Sequence, residues 1–86
     1  MIDWRARFAD GVTYLEVALA RAKRRDFSGA RHAMRYAENV LEDLYRAGAK
    51  DVARRFLRRF ARTARVVEER GARALVGRDL LKPVDL

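Results

Sequence analysis

The chain is predicted to be all-α, an up-down-up bundle of three helices over about 4–25, 28–47 and 51–76 with a short C-terminal tail at 78–86. Three observations predict it. Apolar side chains recur at helical spacing in three consecutive segments. Fifteen alanines stand against one proline, and strand-forming residues are sparse. The breaks between segments, at Asp26–Gly29 and at Gly48–Lys50, are short, which makes successive helices antiparallel neighbours. Eighty-six residues suit a single domain, read here as a bundle over 1–77 followed by the tail.

In the first segment Trp4, Phe8, Val12, Leu15, Leu19 and Ala22 form one apolar seam. Asp3 is the expected N-cap. Gly11 inside the segment costs about 1 kcal/mol relative to alanine, and close approach of another helix accounts for it. Arg21, Lys23, Arg24 and Arg25 at its end complement the helix dipole.

Asp26 or Ser28 caps the second segment. Its seam is Ala30, Met34, Ala37, Leu41 and Leu44, widened by Ala33 and Val40. Gly48 supplies the left-handed position after it. Glu38, Glu42 and Asp43 make its outer face the most acidic surface of the chain and offer partners to arginines of a neighbouring helix.

Asp51 caps the third segment, with Gly71 a point of kinking or early ending and Gly77 the stop signal. Turned at about 100° per residue, Arg54, Arg55, Arg58, Arg59, Arg62 and Arg65 fall in one arc of about 140°. Val52, Ala53, Phe56, Leu57, Phe60, Ala64 and Val67 fall in the opposite arc. The tail, with Leu80, Leu81, Val84 and Leu86 around Pro83, is expected to fold back over the end of the bundle, the alternative being an apolar peptide offered to a partner. The core of so small a bundle is thin. Self-association is therefore expected, with Trp4, Tyr14, Tyr36, Tyr45 and Leu57 either forming the helper surface or capping the edges of the core.

Composition excludes several classes. No cysteine is present, so disulfides and thiolate metal sites are ruled out. No apolar run approaches the roughly 18 residues of a membrane span. MIDWRARF does not read as a secretory signal, and the expectation is a soluble cytoplasmic protein. Arginine outnumbers lysine seventeen to three, glutamine is absent and Asn39 is the one asparagine, a composition that suits a GC-rich or thermophilic source. Most of the net charge of +8 sits in the last third: residues 49–86 carry +6, residues 26–48 carry −1. Neither a phosphate-cradling glycine loop nor a nucleophile elbow occurs. Glu68 and Glu69 are sequence neighbours that point about 100° apart and form no dyad. His32, the one histidine, has no convergent ligands for a metal. The expectation is a non-enzymatic protein with no cofactor and no metal.

The function therefore turns on the arginine stripe. One reading is a dock for an acidic or helical protein segment; a second is phosphate neutralisation on nucleic acid. Against the second, no aromatic residues interleave the stripe for base stacking. Arg25 and His32, with six residues between them, resemble the Arg-to-His signature of HEPN-type ribonucleases, which pair two such motifs across a dimer. Here they straddle a helix start, and a ribonuclease is the third reading.

The run from Tyr14 to Leu44 also resembles a TPR-type helical hairpin. Tyr14, Val17 and Ala18 stand where that repeat has Trp, Leu and Gly, and Ala30, Met34 and Ala37 where it has Ala, an aromatic and a later Ala. Glu42 replaces the closing proline, and one unit alone makes no solenoid. A hairpin of this kind plus a long third helix is similar to an MIT (microtubule-interacting and transport) domain over about residues 8–75. That resemblance implies a three-helix bundle binding short, often acidic peptides in grooves beside the third helix. The Tyr36-Ala37-Glu38…Leu41 run is also similar to small archaeal helical proteins of unknown function.

Overall fold

Helix boundaries follow local capping chemistry. The computed structural model describes residues 3–81, with side chains for 3–74. The Asp3 carboxylate accepts from the backbone N–H of Arg5 at 3.1 Å and opens α1, Trp4–Lys23. Asp26, rather than Ser28, accepts from Gly29 N–H at 2.9 Å and opens α2, Phe27–Arg46. The third helix, α3, runs Lys50–Leu81. All three touch one another, with α2 antiparallel to both neighbours, and no strand occurs among the described residues. The expected three-helix bundle is the observed fold.

Both turns close with the same hydrogen-bond pattern. Arg25 N–H donates to Ala22 carbonyl and Asp26 N–H to Arg21 carbonyl; Gly48 N–H donates to Tyr45 carbonyl and Ala49 N–H to Leu44 carbonyl. These are Schellman closures, which place one residue in the left-handed region. Gly48 takes that position after α2 at φ 77°, and Arg25 takes it after α1 at φ 63°. An L-residue there is disfavoured by about 1–2 kcal/mol. Arg25→Gly is thus expected to raise the melting temperature by several degrees, and Gly48→Ala to lower it by a similar amount, in thermal unfolding followed by circular dichroism.

The core is built from small residues between α1 and α2 and from large ones beneath α3. Ala18, Ala22, Ala30, Ala33 and Ala37 are buried and let the hairpin helices approach closely. Phe56 is fully buried, with its ring edge-on to Phe8 at 5.9 Å. Buried Thr63 returns its hydroxyl to the Arg59 carbonyl at 3.0 Å, so no described polar side chain is stranded.

Three expectations are corrected. The buried line of α1 is Gly11, Leu15, Ala18 and Ala22; Trp4 is exposed, and Val12 and Leu19 only half-buried. The contact line is set by where helices come closest, and that favours small side chains over the large ones of the predicted seam. Leu57, assigned to the apolar arc, is 40% exposed. Neither Gly71 nor Gly77 ends α3, which crosses the expected 77/78 boundary unbroken. Each glycine costs about 1 kcal/mol, less than the flanking alanine, arginine and leucine residues return in helix propensity. Residues 82–86, and with them the expected packing of the tail, lie outside the described residues.

Candidate partner-binding surface on helix α3

Arg54, Arg55, Arg58, Arg59, Arg62 and Arg65 are all exposed, on the face of α3 opposite buried Ala53, Phe56, Thr63 and Val67. They span about 16 Å of helix. Among the described residues, none makes an ion pair: the salt bridges are Arg7–Asp43 at 2.8 Å and Arg7–Asp10 at 3.7 Å. Of the three acids on α2, Asp43 thus serves α1, and its hydrogen bond raises the pKa of Arg7. Glu38 and Glu42 pair with no described arginine.

A groove runs along the seam between α2 and α3. It consists of two adjoining depressions of about 460 and 320 Å³ that share Arg31, Val67 and Glu68. Phe27, Met34, Phe60, Ala64, Val67 and Gly71 give it an apolar floor; Arg31, Arg35, Glu38 and Glu68 give it a charged rim. α3 brings Phe60, Ala64 and Val67 to this seam, and its uncovered flank is the groove. From Phe60 to Ala72 it follows α3 for about 18 Å, or about three helical turns.

The groove divides the stripe. On the helical wheel Leu57, Ala61, Glu68 and Ala72 lie on the α2 side of α3, and Arg54, Arg58 and Arg65 follow just outside them. Arg55, Arg59 and Arg62 turn toward the α1 side. Sequence periodicity located the stripe but not this division, which requires knowing which flank faces α2.

The remaining candidates are dispersed. Arg25 sits in the α1–α2 turn, while His32 is exposed on α2, edge-on to Tyr36 at 5.6 Å. Tyr14 stacks on Tyr36 at 5.3 Å. Trp4, Tyr36, Tyr45 and Leu57 are exposed but do not share one helix face. Among the described residues no group of three His, Cys, Asp or Glu side chains converges, and no helix is long and apolar enough to cross a membrane.

No protein-family model matches the chain, and neither a curated protein nor a solved structure shows significant similarity to it.

Proposed function

We propose that the protein is a non-enzymatic interaction module that docks an acidic, amphipathic helical segment of a partner protein in the groove between α2 and α3. The observation that carries this reading is an apolar groove bordered by unpaired arginines. Apolar side chains at i, i+3 and i+7 of a partner helix fit a floor of three turns. Acids on the flanks of that helix meet Arg58 and Arg65 on one side and Arg31 and Arg35 on the other. This is the peptide-binding arrangement that the resemblance to MIT domains implies. Like charge on two copies, each at +8, opposes a homo-oligomer through this face.

The test is a fluorescence titration with a labelled 14-residue helical peptide carrying leucine at i, i+3, i+7 and i+10 and glutamate on its flanks. Binding by wild type is expected, weakened about tenfold to a hundredfold by Arg58→Glu/Arg65→Glu. Arg55→Glu/Arg59→Glu, on the far side of the stripe, is expected to have a much smaller effect. Equal loss in both variants would contradict the placement in the groove.

Nucleic-acid binding is the second reading, favoured by the same six unpaired arginines. A labelled 20-base-pair duplex separates the two. Duplex affinity that exceeds peptide affinity and collapses between 50 and 200 mM salt would establish a phosphate-binding surface instead.

A further inference from the structure

Beside the groove, and sharing Arg31 and Arg35 with its rim, the first turns of α2 carry a further concavity of about 270 Å³, lined by Ser28, Arg31, His32 and Arg35. These positions are i, i+3, i+4 and i+7 of one helix and share one face. The lining holds two guanidinium groups, an imidazole and a hydroxyl, and no acid. Among the described residues neither arginine makes an ion pair.

The placement is electrostatically unfavourable in the isolated chain. Arg31 and Arg35 are like charges at i and i+4 of one helix and repel each other. The acid at that end of α2 is the N-cap Asp26, whose carboxylate is engaged by Gly29 N–H at 2.9 Å and does not line the concavity. Arg21 of α1 donates to the Gly29 carbonyl at 3.1 Å and brings a further cation to the same end of α2. An anion in the concavity relieves the repulsion between Arg31 and Arg35.

We propose that this cleft binds a phosphate monoester. Two guanidinium forks, an imidazole N–H and a hydroxyl supply more donors than a carboxylate accepts in one geometry, and they suit a dianion with three terminal oxygens. The Tyr36 ring, itself stacked on Tyr14, holds the His32 imidazole edge-on at the cleft. The site goes beyond the docking reading and uses no residue of α3.

The test is a two-dimensional NMR titration of the full chain at constant ionic strength. The probes are inorganic phosphate, acetate, a phosphoserine peptide and its unphosphorylated form. Saturable shifts centred on residues 28–36 are expected with phosphate, at an affinity at least tenfold above acetate. Arg31→Gln/Arg35→Gln is expected to remove at least tenfold of the phosphate affinity without lowering the melting temperature. Tighter binding of the phosphoserine peptide than of inorganic phosphate assigns the phosphoryl group to a modified protein; equal binding assigns it to a phosphorylated small molecule. Shifts spread over the α3 arginines, no preference for phosphate over acetate, or an unaffected double variant would each overturn the proposal. Arg58→Glu/Arg65→Glu is expected to retain phosphate binding, so failure of the docking reading leaves this one standing.

Discussion

Phe56→Ala is expected to remove about 3–5 kcal/mol of stability, the largest loss among truncations of the fully buried side chains. A chain of this length has about 4–13 kcal/mol in total, so the loss is a large fraction of its stability. The reason is position as much as size. Phe56 is fully buried, meets Phe8 edge-on, and reaches across to the backbone of α1 at Gly11. It is the side chain that ties α3 to the hairpin at the N-terminal end of α1. Removing it opens a cavity that the flanking helices cannot close without tilting α3. Urea unfolding followed by circular dichroism measures the loss. Phe56→Leu, which keeps most of the volume, is expected to lose less than half as much.

Gly11→Ala is also expected to destabilise, and its sign opposes helix propensity. Alanine gains about 1 kcal/mol over glycine within a helix. At position 11, however, a Cβ would stand 2.6 Å from the Phe56 ring and 2.8 Å from Val40 Cγ1. Both neighbours are fully buried and have no room to move. Overpacking of this kind costs about 1–3 kcal/mol, so the net change is destabilising, and more severely so for Gly11→Val. Gly71 is the internal control. There a Cβ would meet only Phe27, at 3.6 Å, an ordinary contact. Gly71→Ala is therefore expected to stabilise by about 0.5–1 kcal/mol. Opposite signs at the two glycines in the same thermal unfolding assay would establish that α1 carries the close approach; the same sign at both would contradict it.

The features legible in the sequence were those that depend on local chemistry. Asp3 and Gly48 declared the start of α1 and the end of α2, and the period of the arginines placed all six on the outer face of α3. What the sequence hid depended on distances between helices. Gly11 is expected from the sequence to mark a close approach of another helix, and Phe56 and Val40 make that approach; what the pattern hid is that the small residues around it, not the larger seam, set the buried line of α1. Arg25 gave no sign of a left-handed turn, because a side chain with a Cβ seldom takes that role. Leu57 looked like core and is exposed, since it lies on the flank of α3 facing the uncovered seam. The groove follows from the flank of α3 left uncovered beside α2, which hydrophobic periodicity does not express.

The central claim is that a partner helix lies between α2 and α3. The most direct measurement is the NMR footprint of the acidic amphipathic peptide on the isotope-labelled chain. Shifts and intermolecular contacts at Phe27, Met34, Phe60, Val67 and Gly71, abolished by Gly71→Phe in a variant that keeps its helical content, are the predicted result. A footprint confined to Arg55, Arg59 and Arg62, or peptide binding undiminished by Gly71→Phe, would contradict it.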